Sequence, residues 1–283
     1  MNEITLCAPD ESKSCFACCP PIRPRGYEHI QYRNIMKRIL RENTEAFDPE
    51  AQRVVPITGY SCWALGYLDP QHKRIGCLLH PYQNEGNDLR YRVDYGEKCR
   101  RETCPEALAF ANLNSSTQRF LLEFAEGMDS FEYSSKKRNP VFRLVLWGKD
   151  VLEHLVTSSI SQGINSKGFL DIYPVLRQVP DPRPCAYLLK VLIEKLGPDR
   201  IRGEQFATLF EGFCKRLFLE LPAVSFNQED HFTHKLGIES CIQDTIRLGL
   251  NIKRITLESA LELKEEIDHR LNNFALKMVK SRS

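Results

Sequence analysis

Hydrophobic positions along the chain fall into two regimes. Before residue 105 they are scattered among prolines, glycines and cysteines; after it they recur at helical spacing. Residues 1–26 read as an irregular loop containing Pro9, Pro20, Pro21 and Pro24. Tyr27 to Asn43 predicts a helix, with Ile30, Ile35, Ile39 and Leu40 on one stripe, stopping before Phe47-Asp48-Pro49. Residues 51–104 predict short strands and turns. Val54–Ile57 and Tyr91–Tyr95 are the strand-like runs, and Gly59, Gly66, Gly76, Gly86 and Gly96 punctuate the stretch.

Beyond Cys104-Pro105 the spacing predicts helices over 105–112, 116–128 and 140–161, the last carrying Leu144, Val145, Leu152, Leu155 and Val156. Another follows Pro184 and ends at Leu196-Gly197-Pro198, a stop signal. Residues 202–220 place Phe206, Leu209, Phe210, Phe213, Leu217 and Phe218 on one face. Helices near 229–249 and 256–279 follow, the second striped by Leu257, Leu261, Ile267, Leu271, Phe274 and Met278. Such wide apolar stripes are core faces of a bundle. The expected fold is therefore mostly α: a small irregular cysteine-rich domain with short strands over 1–110, then a helical bundle-like domain over 111–283.

Composition changes this picture in one respect. With 42% apolar and 27% charged residues over 283 positions, the chain has the make-up of a globular protein. A net charge of +2 argues against coating nucleic acid by bulk electrostatics, so no nucleic-acid partner is expected. No apolar run approaches the length of a membrane span. Cysteine is the outlier: of eleven, Cys7, Cys15, Cys18, Cys19, Cys62, Cys77, Cys99 and Cys104 lie in the first 104 residues. The N-terminal residues lack the basic and apolar regions of a secretory leader, so a cytoplasmic location is expected. A reducing cytosol favours metal-binding thiolates over cystines. Cys185, Cys214 and Cys241 sit singly in helical patterns and read as small buried hydrophobes.

The candidate chemistry centres on Cys15-Phe16-Ala17-Cys18-Cys19-Pro20-Pro21. Cys15 and Cys18 have the spacing that lets a tight turn aim two sulfurs at one metal. Cys19, beside Cys18, cannot easily complete the same tetrahedral corner; it suits a second metal, a bridge or another iron of a cluster. Cys62, Cys77, Cys99 and Cys104 supply partners. Cys62 precedes Trp63-Ala64-Leu65, Cys77 stands in Gly76-Cys77-Leu78-Leu79-His80-Pro81, and the set closes with Cys99-Arg100-Arg101-Glu102-Thr103-Cys104.

In the order and context of these cysteines, residues 7–110 resemble the YkgJ-type cysteine-cluster family, described as zinc- or iron-chelating. The resemblance maps the family's triplet to Cys15, Cys18 and Cys19, its lone cysteines to Cys62 and Cys77, and its closing pair to Cys99 and Cys104. It departs where an insertion ending at Tyr95-Gly96-Glu97-Lys98 replaces the usual Arg-Pro, and in the C-x4-C closing spacing. Nothing in it covers residues 111–283.

Two ligand models follow. Seven family-position cysteines plus Cys7 or His80 would make two four-ligand zinc sites. Alternatively, four of the seven hold an iron–sulfur cluster and the rest are structural or redox-active.

Rival chemistries fare worse. The gap from Cys19 to Cys62 is too long for a nucleic-acid zinc finger, and the C-x3-C-x2-C of radical S-adenosylmethionine chemistry is absent. Arg100-Arg101 reads as solvated surface, His154 as a surface or helix-end residue, and His231 with His234 (beside Glu229 and Asp230) as an exposed polar helix face. Glu266 and His269 read likewise, since a di-iron bundle needs two Glu-x-x-His motifs and only one is present. Without a Ser-His-Asp set, P-loop or G-x-G-x-x-G, hydrolase, kinase and dehydrogenase readings lack support. The expectation is a metal-binding module whose helical part docks a protein partner; the alternative is a metal- or iron–sulfur-dependent oxidoreductase with its site between the two domains.

Overall fold

The computed structural model describes residues 4–19, 26–59, 61–101, 104–221 and 231–280. The chain is mostly helical, with two small antiparallel sheets of two strands each among the described residues. It divides into two compact units, 1–113 with 121–143, and 114–120 with 144–283. The division falls within the helix Ser115–Leu122, so the segment after it returns to the first unit.

In the first unit a 3-10 turn, His29–Tyr32, leads into the helix Arg33–Glu45. Its core face is Met36 and Leu40, one turn apart, with Ile30 and Ile39 at the margin. Ile35 is off this face and 54% exposed, so the stripe is rotated from the expected one. The end of this helix pins a hairpin that the sequence did not suggest. Asn43 donates its amide to Cys62 O (3.2 Å) and Leu65 O (2.8 Å), and Thr44 Oγ1 accepts from Tyr67 N at 2.8 Å. Leu65–Tyr67 pairs antiparallel with Ile75–Cys77, Leu65 opposite Cys77.

The expected strands at 54–57 and 91–95 reduce to a single parallel bridge between Val55 and Val93. Arg90–Arg92 is a 3-10 turn and Gly96–Arg101 a short helix. What orders this stretch is a buried arginine: Arg92 donates to Asp48 O (2.7 Å) and Pro49 O (3.2 Å) and lies over the Trp63 and Phe47 rings. Pro105 starts the helix Pro105–Ala111, where its missing N–H costs nothing. A four-residue helix, Ser130–Tyr133, is set by a capping box between Asp129 and Glu132.

The expected helix over 140–161, which begins in the first unit and continues in the second, is broken. Val141–Leu144 passes into a 3-10 turn, Val145–Trp147, and a new helix starts at Gly148, whose φ of +81° suits glycine. Arg183–Leu196 is buried along most of its length and stops at Gly197 (φ +77°). Gly203–Glu220 buries Phe206, Phe210, Phe213 and Leu217, and Leu257–Lys280 buries Leu263, Ile267, Leu271 and Met278. Leu209, Leu257 and Leu261, expected on those stripes, are exposed.

The helix expected over 229–249 does not form among the described residues. His231–Phe232 pairs with Arg254–Ile255, Thr233–Lys235 is a 3-10 turn, and only Ser240–Asp244 is α-helical before a π turn at Thr245–Gly249. Buried Thr233, bonded through Oγ1 to Ile252 O at 2.7 Å, ties the segment to the strand instead. Cys185 and Cys214 are buried, whereas Cys241 is half-buried. No described helix is long and apolar enough to cross a membrane.

Candidate metal centre

The cysteine loop has no regular structure, yet its backbone is specified residue by residue. Tyr133 Oη donates to Leu6 O at 2.9 Å. Ser14 N donates to Ser130 Oγ (3.1 Å), Ser14 Oγ bonds Ile75 O (2.7 Å), and Phe16 N donates to Ser134 Oγ (3.0 Å). Each is a buried bond of the kind worth about 1 kcal/mol made and more when left broken. Phe16, 1% exposed, anchors the loop edge-on to Phe131 at 5.4 Å. Sequence reasoning missed the Ser130–Ser134 contribution. The Asp129-x-x-Glu132 box was its one readable signal.

Four of the sulfurs belong to one apolar cluster. Cys62 is buried among Phe16, Leu40, Leu65, Tyr67 and Leu79, and Cys19, Cys77 and Cys99 pack partly buried against the same group. They arrive from three segments: the loop, the hairpin that joins Cys62 to Cys77, and the helix Gly96–Arg101. Arg90 Nη1 donates to Cys99 O at 3.1 Å.

These sulfurs sense one another. Contact with the Cys18 thiol, then burial, then the sulfurs of Cys77 and Cys62 push the Cys19 thiol well above its ordinary range. Burial, then Cys77 and Cys99, push Cys62 up to about 12. Burial, then the sulfurs of Cys99 and Cys18, push Cys77 up to about 11, against the Leu79 N–H and Arg90, which favour its thiolate.

The remaining four sulfurs lie outside that cluster. Cys15 N donates to Cys7 O at 2.8 Å. Burial raises the Cys15 thiol first, with the sulfurs of Cys18, Cys7 and Cys104 adding to it, and the Ala17 N–H, 3.5 Å from Sγ, opposing. Cys7 is raised by burial and by Cys18. Burial and a 2.8 Å hydrogen bond to Glu106 Oε2 push Cys104 up to about 11. Glu106 is held in turn by Lys136 Nζ at 2.6 Å.

The other candidates are occupied differently. His80 accepts from Tyr82 N through Nδ1 (3.2 Å), capping the turn Pro81–Gln83. Burial and Arg90 lower its proton affinity. Arg100 pairs with Glu97. Glu266 pairs with Arg270, and His269 lies 3.0 Å from the Asn273 amide. His154 Nδ1 is 2.6 Å from Asp150 O, on an exposed face. His231 and His234 are exposed but sit on a strand and a 3-10 turn, not one helix face; Glu229 and Asp230 lie outside the described residues.

Among the described residues no three His, Cys, Asp or Glu side chains stand together as a group that could hold a metal ion. In kind, the grouped donors suit a soft ion: thiols in an apolar surround, with backbone N–H groups directed at Cys15, Cys62, Cys77 and Cys104 that favour the thiolate form. The chain matches no protein-family model, no curated protein and no solved structure.

Proposed function

We propose that the first unit is a thiolate metal module of the YkgJ type, chelating zinc or an iron–sulfur cluster through Cys15, Cys18, Cys19, Cys62, Cys77, Cys99 and Cys104. The observation that carries this reading is the gathering of Cys19, Cys62, Cys77 and Cys99 onto one apolar cluster from three separate segments. Burying four thiols together gives little that leucine or valine would not, whereas four thiols are the donor type and number that a soft metal takes.

Bound there, zinc would supply folding energy, and an iron–sulfur cluster would carry electrons. A site filled by four thiolates leaves no open coordination position, so the role is structural, metal-handling or electron-transfer rather than hydrolytic. The helical second unit is the partner-docking part of this reading.

Protein purified without oxygen, assayed for metal and sulfide and scanned in the visible, tests it. Iron with sulfide and absorption near 400 nm identifies a cluster; a colourless protein with stoichiometric zinc identifies a chelating module. Protein with neither metal refutes the reading.

A further inference from the structure

We infer that, independently of any metal in the first unit, the second unit binds a free single-chain fatty acid. Its apolar tail would lie in a groove between the helices Gly203–Glu220 and Leu257–Lys280, with its carboxylate at Arg216 and Lys277.

The two helices run antiparallel. Phe213 packs on Phe274 with ring centroids 4.7 Å apart; two turns further along the first helix and one turn back along the second, Glu220 Oε2 meets Arg270 Nη1 at 3.0 Å. Between the helices lies a cavity of about 430 Å³ whose apolar lining is Leu209, Phe213, Leu217, Phe274 and Met278. That volume falls in the range of small-molecule sites, which in helical bundles form between helices. Leu209 shares a stripe with buried Phe206 and Phe213 yet is 41% exposed, so the fold leaves apolar surface uncovered here.

Charge decides what covers it. Three cations line the groove, Arg216, Arg270 and Lys277, against one carboxylate, Glu220. Arg270 is already committed, to Glu220 across the groove and to Glu266 Oε1 at 2.7 Å on its own helix. Arg216 and Lys277 are exposed and form no ion pair among the described residues. An apolar trough edged by unneutralised cations suits a ligand with an apolar body and an anionic head, and the planar fork of arginine matches a carboxylate. The Glu220–Arg270 bridge spans the trough, which suits a chain that ends there and not a partner helix running through it.

The test is titration of the full-length chain, methyl-labelled at leucine and methionine, with decanoate below its micelle concentration, read by NMR and calorimetry. The expected result is saturable one-to-one binding that shifts the Leu209, Leu217 and Met278 methyls. Decylammonium should bind about tenfold more weakly, the worth of one charge-assisted contact. Arg216→Glu and Lys277→Glu replace exposed side chains, so folding should survive; each should weaken decanoate about tenfold and strengthen decylammonium. No saturable binding, decylammonium as tight as decanoate, or unchanged affinity in both variants would overturn the inference. So would decanoate shifts confined to other methyls, or shifts of the groove methyls that grow with protein concentration alone, which would make the groove an interface between copies. Metal content enters none of these outcomes, so a metal-free chain that binds decanoate would refute the thiolate module and leave the groove standing.

Discussion

Gly66 stands where a side chain would collide with the packing beneath it. A Cβ there would meet Thr44 Oγ1 at 2.6 Å and Leu78 Cδ1 at 2.7 Å, so glycine is what lets the helix end sit on the hairpin. Gly66→Val should destabilise the first unit by about 1–3 kcal/mol through overpacking, measured by denaturant unfolding.

At Asp88, Arg90 donates to both carboxylate oxygens at 2.8 Å and holds the carboxyl at about 2. A folded-state value below the ordinary 3.8 means the stabilisation is present above that pH and fades as pH falls towards 2. Asp88→Asn should therefore cost about 1 kcal/mol at pH 6, a modest figure for a partly exposed pair. The difference from wild type should shrink in denaturation curves taken near pH 2; an undiminished difference would contradict the assignment. Single residues of this kind were not legible in the sequence, because neither the contact that requires Gly66 nor the arginine's reach depends on spacing along the chain.

Among elements, the short helix Ser130–Tyr133 matters beyond its length, since Ser130, Tyr133 and Ser134 hold the cysteine loop. Asp129 caps it, accepting from Phe131 N and Glu132 N at 3.0 Å, and also pairs with Arg33. Asp129→Ala should cost about 1–2 kcal/mol, and hydrogen exchange of residues 6–16 should quicken with it. Unchanged exchange there would mean the loop is held by something else.

Legibility at this scale tracked length and punctuation. Pro105 and Gly197 marked true helix ends, and the long stripes at 203–220 and 257–280 carried enough turns to be read. The hairpin strands span three residues each, too few to display alternation, and a four-residue helix displays no period. Over 140–161 the apolar spacing continues through Gly148, where the helical backbone does not.

At the scale of the whole molecule, the cysteine-rich N-terminal regime and the helical remainder were both visible in the pattern of apolar positions. The return of residues 121–143 to the first unit was not, because their helical spacing resembles that of the second. The grouping of the sulfurs was not legible: spacing along the chain does not show that Cys19, Cys62, Cys77 and Cys99 share one apolar cluster. Cys214 and Cys185 are buried neighbours in the second unit. Cys214→Ala should lower stability by about 1–2 kcal/mol through the small cavity left, with metal content unchanged.

The most direct measurement is the metal-to-protein ratio of the chain purified without oxygen, taken alongside Cys19→Ser and Cys99→Ser. Wild type should carry zinc, or iron with sulfide, and both variants should lose metal together with thermal stability of the first unit. Wild-type protein with all its accessible thiols free and no bound metal would contradict the thiolate module, as would full metal content and an unchanged melt in both variants.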